Sequence, residues 1–93
     1  MKISYDPAKR GVTLPERGLD FEDAAAVFAG LHATLEDERF AYGEARFITA
    51  GYVAGRLVVM VWTLRGEVRR VISMRYGHDK EERRWRAHFG PGG

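Results

Sequence analysis

Residues 46–75 read RFITAGYVAGRLVVMVWTLRGEVRRVISMR, and this stretch decides the fold. It contains three β-rich runs, at 46–53, 56–64 and 67–75, joined by two short links that each contain glycine. Such links favour hairpins, so the consecutive runs predict an antiparallel meander. The middle run is apolar on both faces, and we therefore expect it to form the central strand.

The residues before the meander favour a strand and short helical turns. An alternating strand is predicted at residues 3–5, and Asp6 and Pro7 then supply an N-cap and a first helical residue. We expect Gly11 to end that turn. A T-x-x-E capping box should start another turn, which Gly18 closes.

A longer helix is predicted after Asp20, which serves as its N-cap. The core-facing residues of this helix follow the i, i+3, i+4, i+7 spacing of an amphipathic stripe: Phe21, Ala24, Ala25, Phe28 and Leu31. Gly30 is expected to end the helix, and a brief strand at residues 34–35 follows.

The last helix is predicted from the capping-box spacing of Asp79 and Glu82, and Trp85 and Phe89 share one face of it. The whole pattern predicts an α+β fold in which N-terminal helices pack on an antiparallel β-meander that a C-terminal helix closes. We expect the helices on one side of the sheet and the other face partly uncovered.

The length allows a single small domain, expected over residues 1–89, with a disordered tail at residues 90–93. The 93 residues include no cysteine, which excludes disulfides, thiolate catalysis and cysteine-bound zinc. The three histidines lack metal-ligand spacing, so no metal or other cofactor is predicted. No apolar run approaches the ~18 residues of a membrane span, and no signal-peptide pattern opens the chain, so a cytoplasmic location is expected.

Positive charge is concentrated in the C-terminal third. Residues 1–64 carry seven Lys and Arg against nine Asp and Glu, whereas residues 65–93 carry eight against four. Twelve of the fifteen cations are arginine, whose planar fork pairs with two phosphate oxygens at once. The distribution favours an anionic partner on the C-terminal half, with a general preference for arginine as the alternative.

An ordered set of segments matches the pattern of a known family: Tyr5-Asp6-Pro7-Ala8-Lys9-Arg10, Glu16-Arg17-Gly18-Leu19-Asp20-Phe21, Asp37, Arg39, Tyr42-Gly43-Glu44-Ala45-Arg46, Arg65-Gly66 and Arg70-Val71-Ile72-Ser73-Met74-Arg75. In these segments the chain resembles BrnT-type toxins, over residues 3 to 85. The resemblance implies a RelE/ParE-like fold and a type II toxin–antitoxin toxin, a ribonuclease that arrests growth by cutting cellular RNA.

The resemblance also implies partners. A BrnA-type antitoxin would neutralise the toxin and join it in a dimer or heterotetramer, and operator DNA would be contacted through the antitoxin alone. Two segments depart from the family pattern. Many members have Lys-His-Gly where this chain has Glu16-Arg17-Gly18, and a basic residue usually follows the Ser-x-Arg motif where this chain has Tyr76-Gly77-His78.

Arg75 is the first catalytic candidate, because it aligns with the arginine of the family's Ser-x-Arg motif and a guanidinium stabilises a phosphorane without a metal. Arg65, in the preceding turn, and Arg70, in the same strand, are further candidates. Strict alternation predicts one face with Arg69, Val71, Ser73 and Arg75, and another with Val68, Arg70, Ile72 and Met74. The structural alternatives for Arg75 are a cap at the strand edge and an ion pair with Glu44.

Several side chains are candidates for the proton chemistry and for RNA contacts. Glu16 is a candidate base, although its capping-box position explains it equally well, and Arg17 beside it is a candidate phosphate ligand. His78 is a candidate acid, since histidine titrates near neutral pH. The candidate RNA contacts are Arg69, Tyr76, Arg83 and Arg84. A solvated helix face is the alternative for the last two.

Three functions fit these patterns. The first is an RNA-cleaving toxin held silent by an antitoxin, which the ordered family resemblance and the strand arginines favour. The second is a catalytically inactive module that binds antitoxin. The third is a general RNA-binding domain without a dedicated partner.

Overall fold

The computed structural model describes residues 2–39 and 41–89, except the side chains of Val12, Glu16 and Arg17. The predicted tail at 90–93 lies outside the described residues. The strands are β1 (Lys2–Tyr5), β2 (His32–Glu36), β3 (Arg46–Val53), β4 (Arg56–Arg65) and β5 (Val68–Tyr76). The helices are α1 (Pro7–Arg17), α2 (Ala24–Ala29) and α3 (Asp79–Arg86), with a 3₁₀ turn at Phe21–Asp23. The predicted α+β fold is confirmed.

The five strands form one sheet in the order β1-β5-β4-β3-β2. Strands β3 to β5 form the antiparallel meander that the two glycine-containing links predict, and β4 is the central strand. Strand β2 also pairs antiparallel, with β3. Strand β1 pairs parallel to β5, with Ser4 opposite Arg70. The N-terminal strand therefore borders the arginine-rich strand.

Helix α1 has the predicted ends but a different interior. The Asp6 side chain accepts a hydrogen bond from the Ala8 N–H at 3.0 Å, and Gly18 ends the helix in the left-handed conformation, at φ 66°. The helix is continuous through Gly11 and Pro15, so the prediction of separate short turns was wrong. The strong caps at both ends outweigh the interior glycine and proline, which cost helix stability without breaking this helix.

One face of the sheet carries α1 and α2. Buried side chains from the helical side, Leu19, Phe21, Ala24 and Val27, pack on Val58, Met60, Trp62, Val71 and Met74 of the sheet. The predicted stripe was wrong at Ala25 and Leu31, which are exposed. The 3₁₀ turn at Phe21–Asp23 has three residues per turn, and this tighter winding rotates Val27 inward.

A buried hydrogen bond anchors this core. The Trp62 indole N–H donates to the Thr49 hydroxyl at 2.7 Å, and Thr49 has no exposed surface. The Thr49 hydroxyl also lies 2.8 Å from that of Thr34 on β2. The polar atoms inside the core are thus paired across three neighbouring strands.

Helix α3 lies on the opposite face of the sheet, so the expectation of helices on one side was wrong. Its Trp85 and the following Phe89 stack at 6.4 Å, and they pack on a second cluster of Ala33, Ala50, Leu57 and Val59. The chain reaches this face because Gly77 passes close over β4: a Cβ there would lie 2.6 Å from Leu57 Cδ2. The N-cap is His78 with Glu81, one residue before the predicted pair.

A β-bulge interrupts β5 and corrects the predicted faces. Val61 pairs with Ser73, whereas the next residue, Trp62, pairs with Val71, so Ile72 is the extra residue on β5. The strict alternation predicted for this strand was therefore wrong. Arg69 and Val71 share the helix-covered face with Met74 and Tyr76, and the opposite face carries Val68, Arg70, Ser73 and Arg75.

Candidate functional site

A groove of about 280 Å³ opens on the sheet face that carries α3. Its floor is formed by apolar side chains of β3 and β4, and its rim carries two arginines and one carboxylate. The lining residues are Ile48, Val59, Val61, Ser73, Arg75, Arg39, Glu81 and Trp85. The bulge at Ile72 directs Ser73 and Arg75 toward this groove.

Arg75 is held by Glu81, not by Glu44 as the structural alternative predicted. The two terminal guanidinium nitrogens donate to the two Glu81 oxygens at 2.6 and 2.7 Å. These hydrogen bonds lower the pKa of Glu81 to about 2 and raise the pKa of Arg75. Arg75 keeps 46% of its side chain exposed, so it remains accessible from the groove.

Arg39 supplies the second guanidinium, and the sequence reasoning did not select it as a site residue. It donates to the carboxylate of Asp37 from Nε at 2.8 Å and from Nη2 at 2.9 Å, and the Tyr42 hydroxyl donates to the same carboxylate at 2.9 Å. Asp37 is buried, and the Arg39 hydrogen bonds hold its pKa well below the usual range. The D-x-R spacing at 37–39 was the available signal.

His78 lies at the start of α3 beside the Arg75–Glu81 pair. Its Nδ1 accepts from the Glu81 backbone N–H at 3.4 Å, and its Nε2 lies 3.4 Å from the Glu81 carboxylate. A ring nitrogen that accepts carries no proton, so the neutral ring holds its proton on Nε2, facing the carboxylate. The exposed imidazole lies beside the Arg75–Glu81 pair, and as an imidazolium it can donate a proton there.

A second cavity, of about 480 Å³, lies on the same face toward β1 and is lined by Ser4, Arg65, Val68 and Arg70. Arg65 lies 3.5 Å from Glu44, which also lies 3.6 Å from Arg46. Arg70 makes no hydrogen bond or ion pair within the described part of the chain. The two sequence candidates Arg65 and Arg70 are thus brought together, apart from Arg75.

Residues 5–81 match the family model described as ribonuclease toxin, BrnT, of type II toxin-antitoxin system. The chain belongs to the BrnT family. It is therefore a type II toxin–antitoxin ribonuclease toxin, and an antitoxin partner follows from that class. A comparison with curated proteins finds no match.

In this BrnT chain, two of the predicted RNA contacts lie on the helix-covered face. The Arg69 guanidinium stacks 3.8 Å over the Phe28 ring and 5.2 Å from that of Trp62, an arrangement that also stabilises the core. The Tyr76 ring is covered by Arg56 at 3.6 Å, and its hydroxyl donates to the Gly18 carbonyl at 3.4 Å.

The remaining BrnT candidates lie on helices. Arg83 and Arg84 are exposed on α3, and Arg84 lines a shallow cavity with Leu35, Trp85 and His88. Glu16 and Arg17 occupy the last turn of α1, but their side chains lie outside the described residues.

The described residues contain no group of three His, Asp or Glu side chains placed to hold a metal ion. Within residues 2–39 and 41–89, no helix of this BrnT chain is long and apolar enough to span a membrane. The groove combines fixed positive charge with an ionised carboxylate, and the exposed His78 imidazole lies beside that carboxylate. This combination suits phosphate binding and proton transfer.

Proposed function

We propose that this chain cleaves RNA in the groove at Arg75 by metal-independent, arginine-assisted phosphodiester cleavage, and that a BrnA-type antitoxin neutralises it. The observation that carries the proposal is the pair of guanidinium groups, Arg75 and Arg39, on the rim of one groove. Family membership supplies the reaction class, and the groove supplies groups that fit it.

In the proposed reaction, the RNA 2′-oxygen attacks the adjacent phosphorus and loses its proton. The bond from phosphorus to the 5′-oxygen breaks, which yields a 2′,3′-cyclic phosphate and a 5′-hydroxyl. Negative charge develops on the phosphorane oxygens, and Arg75 and Arg39 stabilise it through charge-assisted hydrogen bonds. The fixed positions of both side chains reduce the reorganisation needed at that moment.

Before the substrate binds, the Glu81 carboxylate is hydrogen-bonded to Arg75. Glu81 holds the edge of the guanidinium that the two terminal nitrogens form, so a scissile phosphate that binds this edge in a bidentate way displaces the carboxylate. With a pKa near 2, Glu81 is a weak base while it is paired. Once released, it becomes a stronger acceptor for the 2′-hydroxyl proton.

His78 is proposed to protonate the leaving 5′-oxygen as an imidazolium. The ring takes up a proton on Nδ1, which gives up its cap to the Glu81 backbone N–H, and it then donates the Nε2 proton and becomes neutral. Glu16 as a base and Arg17 as a phosphate ligand remain predictions, as do the roles of Arg65 and Arg70.

Purified chain incubated with single-stranded RNA in the presence of EDTA tests the proposal. We expect cleavage products that end in a 2′,3′-cyclic phosphate, and Arg75→Ala should lower the rate by about 10²–10³-fold, as loss of one transition-state donor does. The matched control is Arg56→Ala, which removes an arginine from the other face. RNA left intact, together with normal growth when the chain is expressed without antitoxin, would overturn the proposal.

The second candidate is a module that binds antitoxin without cleaving RNA. The occupied state of Arg75 favours it, since both terminal nitrogens already have partners. Co-expression with the product of a small adjacent reading frame distinguishes the two. A stable complex, of dimeric or heterotetrameric mass, with no growth arrest by the free chain would support the inactive module.

A further inference from the structure

We propose that Arg65, Arg70 and Ser4 form a second phosphate subsite, which holds a flanking nucleotide of the same single-stranded RNA whose scissile phosphate lies at Arg75. The inference rests on the proposed function, which identifies the bound molecule as single-stranded RNA. It assigns Arg65 and Arg70 to substrate positioning instead of the chemical step.

Both sites lie on one face because of the bulge. Arg70 pairs with Thr63 and Arg75 pairs with Val59, and these two β4 residues point to the same side of that uninterrupted strand. In a regularly pleated strand without a bulge, the five positions between them would place the two arginines on opposite faces. A single strand of RNA can therefore contact both while it lies across one surface.

The distance between the sites excludes a shared phosphate. Thr63 and Val59 are four residues apart on β4, which corresponds to about 13 Å at roughly 3.3 Å per residue. The lining residues of the two cavities do not overlap. At about 3.4 Å per stacked nucleotide, the separation spans about four nucleotides, and fewer in an extended strand.

The groups at the second site are available to an anion. Arg70 is half-buried and has no hydrogen-bond or ion-pair partner among the described residues, and none of its nitrogens is buried without a partner, so its guanidinium is open to water or to a ligand. Arg65 is held by Glu44 at 3.5 Å, beyond the usual hydrogen-bond length, with 62% of its side chain exposed. Ser4, opposite Arg70 in the β1–β5 pairing, adds a hydroxyl donor.

Helix α3 does not obstruct this part of the face. It packs over Leu57 and Val59, at one end of β4, whereas the second cavity borders Arg65 at the other end. The RNA path therefore leads from the rim of α3 along β5 toward β1, so that the negative backbone meets arginines at both ends of this path.

Binding of 2′-O-methyl RNA tests the subsite without cleavage, because the attacking hydroxyl is blocked. Fluorescence anisotropy with oligonucleotides of two and eight residues would be measured for wild type, Arg70→Gln, the double variant Arg65→Ala/Arg70→Ala, and Arg75→Ala. Arg56→Ala on the opposite face is the matched control.

We expect the double variant to bind the eight-residue oligonucleotide about tenfold more weakly, the usual scale for one lost charge-assisted contact, and to bind the dinucleotide as wild type does. The slope of log affinity against log salt should fall by about 0.7, the value for one phosphate on a single strand. Arg75→Ala should weaken both oligonucleotides.

An equal loss for the two lengths would place Arg65 and Arg70 at the scissile phosphate and overturn the inference. An unchanged affinity for the longer oligonucleotide would also overturn it. Arg70→Gln retains a polar side chain of similar size, so its thermal melt shows whether a loss of binding reflects unfolding. If wild type binds with the expected pattern but cleaves no RNA, the proposed function fails and the subsite stands.

Discussion

Glu81 links the end of β5 to the start of α3. Its carboxylate accepts from both terminal nitrogens of Arg75, at 2.6 and 2.7 Å, and also from the His78 backbone N–H at 3.3 Å. A ligand that takes Arg75 away from Glu81 therefore competes with a contact that holds the helix. Binding in the groove and the stability of α3 are coupled through this one side chain.

Glu81→Gln should strengthen RNA binding and weaken the fold. The variant removes the carboxylate that competes with phosphate for Arg75, so we expect affinity for 2′-O-methyl RNA to rise by about three- to tenfold. The free energy of unfolding should fall by about 0.5–1 kcal/mol, because the pair is partly exposed and glutamine retains the capping role.

Glu82→Gln is the matched control for this substitution. It removes the same charge from the same helix, but Glu82 bonds to Tyr52 and Arg86 instead of Arg75. An equal rise in affinity for both variants would mean that net charge, not release of Arg75, governs binding.

The stabilising effect of Glu81 should be lost in acid. The folded-state pKa is about 2 against an ordinary value of 4.5, so the unfolded chain takes up the proton first as the pH falls. The difference in unfolding free energy between wild type and Glu81→Gln should be constant above about pH 5 and should shrink as the pH falls from 4.5 toward 2. Urea titrations across this range measure it; a difference that persists at the acid end would contradict the ion pair.

Thr49→Val should destabilise the core by about 1–3 kcal/mol. The change preserves volume but leaves the buried Trp62 indole N–H without its acceptor. Thr34→Val is the control: it removes the neighbouring hydroxyl at an exposed position and leaves the indole bond intact, so we expect a change within about 0.5 kcal/mol. Equal losses in urea denaturation would contradict the assignment.

Gly77→Ala should destabilise the protein by about 1–3 kcal/mol, because the new Cβ would lie 2.6 Å from Leu57 Cδ2 and 3.1 Å from its Cγ. Gly11→Ala, inside α1, offers the opposite case. A Cβ there meets nothing within 4 Å, and the better helix propensity should stabilise by about 0.5–1 kcal/mol. Thermal melts of the two variants should shift in opposite directions.

Local chemistry predicted several helix ends and the order of the three meander strands, but not the places of β1 and β2. Asp6 and Gly18 bound α1, and Gly30 ends α2, because capping depends on residues next to one another in the chain. The side of the sheet that α3 covers was not predictable in this way. It depends on the close passage of Gly77 over Leu57, a contact between residues twenty positions apart.

The candidate site was predicted only in part, because several of its contacts join residues that are distant in the sequence. Arg75 was identified from the family resemblance, but its partner Glu81 comes from a helix whose placement was unknown. Arg39 was missed because the D-x-R spacing at 37–39 does not show that Asp37 is buried, and the position of Arg39 depends on that burial. The faces of β5 were wrong because a bulge has no strong sequence signal at Ile72.

Because of the bulge, the side chains that this surface presents depend on the number of residues in β5 as well as on its composition. If every residue of β5 were kept but paired without the bulge, the residues on one side of Ile72 would move to the opposite face, and Arg70 and Arg75 would no longer share one surface; deleting Ile72 itself would leave both arginines on their present face. Alignments of BrnT relatives should therefore be read with attention to single-residue gaps here. Two chains with the same number of arginines in β5, but with those arginines shifted by one position relative to the bulge, would present different charges to the same ligand.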